Sequence, residues 1–312
     1  MSYIATEEPR EGRGLRGQIA GLVRLTRWDE HVLFTIAATL SGVNLAIYHH
    51  ASIIPDWRLI VVTAANVLAV MFAFIVNDIE DAADDAQDAA RGARNAITTG
   101  VVAPRTGWGL AGVMAALALI LFAAVNRRAG MIGAATVALG FLYSWRGVRL
   151  KALPVVDVLS HVLMLSALLF LAGYTAYDPA VERIWLVTAS VALISAYGQL
   201  YNQLRDYEVD RAAGLHNTAS LLGKRCTQSL MYAVLGVAAV CLVITVVTGL
   251  WPLWLLLVPV GLSPLMWLVR FETDMRGTAA IDTSGRLQLG AMWIAVLTLL
   301  VWLVVLIGER GW

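Results

Sequence analysis

The sequence predicts an all-α, polytopic membrane protein of about nine transmembrane helices. Three observations carry this. Hydrophobic residues are 59% and charged residues 14% of the 312-residue chain, with a mean hydropathy of +0.71, outside the range of soluble globular domains. Apolar windows of roughly the 17 to 25 residues that cross a bilayer recur along the whole chain. Between them, Lys and Arg fall in a one-sided pattern.

In chain order, residues 1–27 form a polar, arginine-bearing tail. The first apolar run lacks a small-residue cleavage site, so no signal peptide is expected and the amino terminus is retained. The windows then follow at 31–48, 59–77, 107–125, 129–145, 154–173, 184–202, 229–249, 252–270 and 287–308. The fourth is short and glycine-rich, and "GLWPLW" leaves only a tight turn between the seventh and eighth. No Gly/Ser-rich or Pro-rich linker divides the chain, so 1–312 reads as a single integral-membrane domain. Two cysteines, Cys226 and Cys241, have no close metal-ligand spacing; both read as packing residues, with neither a disulfide framework nor a zinc site. A net charge of +1 argues against a polyanionic partner, and no nucleic acid is expected.

With the amino terminus inside, the tail and the loops after windows 2, 4, 6 and 8 face the cytoplasm. These segments hold Arg10, Arg13, Arg16, Arg24, Arg27, Arg91, Arg94, Arg105, Arg146, Arg149, Lys151, Arg205, Arg211, Lys224, Arg225, Arg270, Arg276 and Arg286. Only Arg58, Arg127, Arg128, Arg183 and Arg310 remain outside, the bias expected of cytoplasmic loops. The expected location is therefore the cell membrane, multi-pass, with the lipid bilayer as a partner.

The second window, "VVTAANVLAVMFAFIV", carries no charge, and "NDIEDAADDAQD" follows it directly, from Asn77 to Asp88. Residues four apart share a helix face, so Asn77, Asp81 and Asp85 form a stripe with Asp78 beside it and Asp84 and Asp88 on its flank. Like charges at that spacing repel unless they stand in open water or hold a cation, and oxygen-only ligands suit Mg²⁺. For one such stretch a solvated helix end is an equal explanation.

A second copy tips the balance. After the sixth window the chain reads "YNQLRDYEVDRAAGLHNTASLLG", where Asn202, Asp206 and Asp210 repeat the Asn, Asp, Asp stripe at the same steps. The two are followed by "RNAITTG" and "HNTASLLG", which points to an internal duplication. Two acidic stripes entering from one membrane face can converge on one site, and such groups at membrane depth are a functional hypothesis by default. The usual partner of protein-held Mg²⁺ is a phosphate or diphosphate. Arg94, Arg149, Lys151 and Arg205 lie on the same side and can take its outer oxygens. Lys151 stands out as one of two lysines in a chain that otherwise uses Arg.

These residues carry a family resemblance. "NDIEDAADD" and "DYEVD" resemble the two acidic motifs of the UbiA superfamily of intramembrane prenyltransferases, and "YSWRGVRLK" resembles the loop after their fourth helix. The resemblance implies nine helices around a central cavity, with a Mg²⁺-bound prenyl diphosphate between the motifs. By it, Asn77, Asp78, Asp81 and Asp85 with Asn202, Asp206 and Asp210 form the metal and diphosphate site. Lys151 and an arginine on the loop after the first motif bind phosphate. One departure stands out: "RNAITTG" has Asn95 and Ala96 where many members carry Arg and Pro, so Arg94, one residue early, substitutes.

The expected chemistry is prenyl transfer. Metal and basic residues stabilise charge on the leaving diphosphate. The allylic cation is left among aromatic faces, for which Tyr143, Tyr174, Tyr197 and Tyr201 are candidates and Tyr143 and Tyr201 the preferred pair. Asp157 is either an acceptor-side group or a carboxylate stabilised by its helix dipole. The expected reaction is Mg²⁺-dependent transfer to a lipophilic or aromatic acceptor. The alternatives are a terpene cyclase of the same fold, acting without an acceptor, and an ion-coupled transporter.

Overall fold

A computed structural model describes residues 14–264, 273–276, 279–282 and 286–310. The chain enters as α1 (Leu15–Thr26) and continues through α2 (Trp28–His49), α3 (Trp57–Asp85), the short α4 (Ala89–Arg94), α5 (Pro104–Val125) and α6 (Arg127–Ser144). A 3-10 turn at Leu150–Ala152 leads to α7 (Val156–Val162), joined by a π-helical turn at Leu163–Ala167 to α8 (Leu168–Thr175). Then come α9 (Trp185–Arg205), α10 (Tyr207–Ala212), α11 (Thr218–Val247), α12 (Trp254–Leu262), an antiparallel hairpin of β1 (Thr273–Arg276) and β2 (Ala279–Asp282), and α13 (Arg286–Gly308).

Helix starts follow local chemistry. Asp56, Asn126 and Asn217 cap α3, α6 and α11 by accepting from the backbone N–H of Arg58 (3.0 Å), Ala129 (2.9 Å) and Ser220 (2.9 Å). Pro104 opens α5, where its missing N–H costs nothing.

Among the described residues, six stretches are long and apolar enough to cross a membrane: Trp28–His49, Trp57–Asp85, Pro104–Val125, Val156–Thr175, Thr218–Val247 and Leu289–Gly308. The chain is a multi-pass membrane protein. Windows 129–145 and 184–202 fall on α6 and α9, which are less apolar: α6 opens on Arg127 and Arg128, and α9 carries Gln199, Asn202 and Gln203. Window 252–270 begins on α12, and its last six residues lie outside the described ones.

Two expectations need correcting. Residues 15–26 of the expected tail are a packed helix, with Gly21 and Leu25 buried; Arg10 and Arg13 lie outside the described residues. Cys226 is exposed and does not pack in the core, while Cys241 is half-buried.

The main core lies among α2, α3, α5, α8 and α13, around Val43, Leu45, Phe122, Phe170, Tyr174 and Trp302. Without a hydrophobic force between helices in lipid, association rests on close packing and interhelical hydrogen bonds. Both occur here. Asn66 Nδ2 donates to Thr39 Oγ1 (2.7 Å) and Leu169 O (3.0 Å), and Asn44 Nδ2 to Leu299 O (2.8 Å). At the α2–α8 crossing a Cβ on Gly42 would stand 2.1 Å from Phe170 O, and one on Gly173 2.4 Å from Thr39 O.

The two ends of the bundle differ. At one end, buried Asp178 accepts from the Tyr174 hydroxyl (2.5 Å) and lies 2.7 Å from His50 Nε2, while Tyr177 donates to Asp56 (3.1 Å) beneath the Arg58 guanidinium. Tyr174 therefore belongs to this end, away from the acidic motifs. The acidic motifs and most arginines gather at the other end.

Alanine at Gly42 or Gly173 is expected to lower the stability of the detergent-solubilised protein by about 1–3 kcal/mol, as overpacking does. Gly112, whose added Cβ would meet nothing within 4 Å, serves as the control and should melt unchanged.

Candidate active site

The acidic end of α3 is surrounded by cations, each positioned by a different element. Lys151, 8% exposed, comes from the 3-10 turn and donates from Nζ to Asn77 Oδ1 (2.8 Å) and to Asp81 Oδ2. Ser144, the last residue of α6, donates to the same Asn77 oxygen (2.9 Å). Arg149 reaches Asp81 (3.3 Å) and Asp84 (2.5 Å), and Arg146 reaches Asp84 (3.1 Å). On the flank, Arg27 pairs with buried Asp78 (3.3 Å), and Asn95 donates to Asp85 Oδ2 and to Asp78 O, both at 2.8 Å.

Backbone strain accompanies these contacts. Arg27 (φ 48°) and Arg149 (φ 51°) both adopt the left-handed conformation that non-glycine residues avoid. Each turns its chain sharply where its guanidinium meets a motif carboxylate, and such strain persists only where the surrounding structure over-determines it.

The second motif meets the first through α4. Arg91 Nη2 lies 2.8 Å from Asp210 Oδ1, and Asn217 donates to the other Asp210 oxygen at 3.1 Å. Burial pushes the Asp210 carboxyl above its ordinary range although Arg91 opposes it. Burial likewise pulls the Lys151 ammonium below its ordinary value although Asp81 opposes it. Each group is thus costly to bury without its partner. Asp88, on the flank of the stripe, caps α4 by accepting from Arg91 N (2.8 Å) and so sets the start of the helix that carries Arg91.

The other expected residues have these partners. Arg94 pairs with Glu30 on the surface, and Arg91, one turn earlier in α4, is the loop arginine that spans the motifs. Arg205 pairs with its neighbour Asp206, at 3.4 Å, where both stand at the end of α9. Tyr201 packs with Tyr197 against Leu200, Leu204 and Met231, between α9 and α11. Tyr143 packs near Val70, Met164 and Leu165 and accepts from Gln199 Nε2 (3.2 Å). Asn202 Oδ1 is buried without a hydrogen-bond partner among the described residues.

Asp157 stands in the first turn of α7, the helix-start position of one expected reading, and engages partners well beyond that helix. Fully buried, it accepts from Val158 N (2.8 Å), Thr218 N (2.7 Å), Gln203 Nε2 (2.7 Å) and the Thr218 hydroxyl. Gln203 Oε1 in turn accepts from Ala219 N (3.0 Å). This brace ties α7 to α9 between Asn202 and Asp206, and to α11 just after Asn217. No local sequence signal reveals it, since its partners come from 46 and 61 residues away.

Among the described residues, no three carboxylate, imidazole or thiol side chains converge closely enough to hold a metal ion by themselves. The carboxylate and amide oxygens of the two motifs are nevertheless of the kind that suits a hard cation such as Mg²⁺.

Replacing Asp157 by Asn points an amide N–H₂ at groups that are themselves donors. Stability is expected to fall by about 2 kcal/mol or more, the scale of a lost charge-assisted hydrogen bond with a group left unsatisfied, as read by chemical or thermal unfolding.

Comparison with known proteins places this geometry. The model of the UbiA prenyltransferase family matches residues 33–281. The 1,4-dihydroxy-2-naphthoate octaprenyltransferase of Bacillus subtilis (strain 168) is 24% identical over 179 residues, 56% of this chain and 58% of that protein, so the chain spans little more than half of this curated relative. A UbiA homolog from Archaeoglobus fulgidus, solved bound to GPP and Mg²⁺ and also to DMAPP and Mg²⁺, superposes with a TM-score of 0.71 at 18% identity, over 92% of this chain and 99% of that one. The apo UbiA homolog from Aeropyrum pernix K1 gives 0.64 at 20% identity, over 90% and 96%. At these identities the structural likeness shows the fold, and the family match, which runs from α2 to β2 and takes in both acidic motifs, shows the kinship: the chain belongs to the UbiA prenyltransferase family.

Proposed function

We propose that this chain transfers a prenyl group from a prenyl diphosphate to a lipophilic or aromatic acceptor within the membrane, with the diphosphate held between the acidic ends of α3 and α9. The observation that carries the proposal is the Arg91–Asp210 pair, which joins the loop after the first motif to the second. Support comes from the Archaeoglobus fulgidus homolog, bound to GPP or DMAPP with Mg²⁺, and from the octaprenyltransferase of Bacillus subtilis. The excess of Lys and Arg in the loops at the acidic end supports placing that end, and the amino terminus, on the cytoplasmic side.

Asp78, Asp81, Asp85, Asp206 and Asp210, with Asn77 and the unpartnered Asn202 oxygen, are the residues that would hold Mg²⁺. Bound there, Mg²⁺ would neutralise the diphosphate and stabilise the charge that grows on it as it leaves. Lys151, Arg149 and Arg91 each hold a carboxylate, so part of the negative charge is offset and the cations are already aimed. A diphosphate entering the cleft takes over these donors, Lys151 as a point charge and the two arginines as planar forks. Such preorganisation lowers the cost of breaking the allylic C–O bond. Tyr143, directly before Ser144 in α6, lies next to the diphosphate end, and its quadrupole stabilises the allylic cation. The acceptor's nucleophilic atom then bonds to the allylic carbon and releases its proton.

Turnover is expected to vanish in EDTA and return with Mg²⁺ or Mn²⁺, while Ca²⁺, which prefers a larger and looser shell, restores little. Activity that persists in chelator would remove the metal from the account.

Asp81→Asn and Asp206→Asn keep side-chain size but remove a charge. Each should lower turnover at least about a hundredfold, about 2.7 kcal/mol of transition-state stabilisation. Asp88→Asn should change little, because Asn caps a helix as well as Asp. Arg91→Ala should cost far more activity than Arg94→Ala, and similar losses at both would reassign the loop arginine. Product formed from prenyl diphosphate alone would identify a cyclase.

A further inference from the structure

α1 has three faces. Gly21 and Leu25 are buried against Val101 and Val102, so closely that a Cβ on Gly21 would stand 2.6 Å from Val101 Cγ1. Leu15, Ile19 and Val23 recur every four residues and so share a second face. They are 74%, 52% and 48% exposed, an apolar stripe that no other described element covers. Arg16, Ala20 and Arg24 form the third face, and no residue of α1 is acidic.

The docked face fixes which way the apolar stripe points, and its surroundings follow from the chain path. Only Arg27 separates α1 from Trp28, the half-exposed first residue of a membrane-crossing helix, so α1 runs at the height where that helix meets the headgroups. A helix with one apolar stripe beside a basic one is the pattern that lies in a membrane interface. Its charge fits anionic lipid, which attracts arginines held near its surface.

We infer that α1 is an interfacial anchor: Leu15, Ile19 and Val23 insert into the acyl boundary of an anionic leaflet while Arg16 and Arg24 take up its phosphates. Arg24 Nη2 donates to Thr99 at 3.1 Å, and its remaining donors serve the lipid. Arg27, which ends α1, is the residue that pairs with Asp78, so the anchor also fixes one partner of the first motif.

The test is site-directed spin labelling of the full chain, with Cys226 and Cys241 replaced by Ala. Labels are placed at Ile19→Cys, Val23→Cys and Ala20→Cys in vesicles of phosphatidylglycerol and phosphatidylcholine. Collisions with oxygen should exceed those with a water-soluble nickel chelate at 19 and 23, and the order should invert at 20. With phosphatidylcholine alone the oxygen-to-chelate ratio at 19 and 23 should drop. Chelate access at 19 and 23 equal to that at 20 would overturn the insertion, and a ratio indifferent to phosphatidylglycerol would overturn the anionic preference. Neither readout depends on enzymatic activity, so failure here leaves the prenyl-transfer reading standing.

Discussion

Everything at the acidic end of this molecule follows from one electrostatic constraint. Six carboxylates within Asn77–Asp88 stand at the end of a long apolar helix, where they can be neither hydrated as in bulk water nor left unpaired. The structure meets the constraint by drawing cations from three separate segments. Arg27 comes from the α1–α2 junction, Arg146, Arg149 and Lys151 come from the segment after α6, and Arg91 comes from α4, where it pairs across to Asp210 of the second motif. Those segments are thereby pinned around a common point, and two of the arginines accept a strained backbone to reach it. Breaking such a pair leaves a buried charge uncompensated, which costs more than the pair itself contributes. An anion of high charge density is the kind of ligand that can take over those cations.

The second motif is held by a different device. Its Asp210 pairs with Arg91 and Asn217, while the chain on either side is braced by Asp157, Gln203 and Thr218. One carboxylate with every lone pair engaged is a rigid joint, because no alternative partner is at hand. The repeat in the sequence therefore gives two acidic stripes with unequal support: one ringed by cations, the other fixed by a buried hydrogen-bond network. The α2–α8 crossing, with Gly42 and Gly173 in backbone contact, closes the bundle toward its opposite end.

Much of this was legible in the sequence. The apolar windows, the doubled Asn, Asp, Asp spacing and Lys151 are local or periodic signals, and local signals survive folding. Arg91 was not legible, because its partner is 119 residues away and Arg94 in the same short segment is chemically identical; only the turn of α4 decides which one faces the cleft. Asp157 read as a helix-start carboxylate because that much is local, whereas its other partners belong to α9 and α11. Tyr174 and Tyr201 share aromatic chemistry with Tyr143, but periodicity alone does not say which end of a helix or which neighbouring helix a ring meets. The expected basic tail concealed α1, since four-residue apolar spacing in a short arginine-rich stretch is weak without the packing that Gly21 permits.

The central claim is that both acidic motifs serve a single diphosphate site. Equilibrium binding of pyrophosphate with Mg²⁺ to the purified chain tests it most directly, compared among the unaltered protein, Asp81→Asn, Asp206→Asn and the double variant. The account predicts one site per chain that either single substitution abolishes, with the double variant no worse than the singles, as for groups acting as a unit. Two independent sites, each lost only with its own motif, or binding indifferent to all three substitutions, would contradict it.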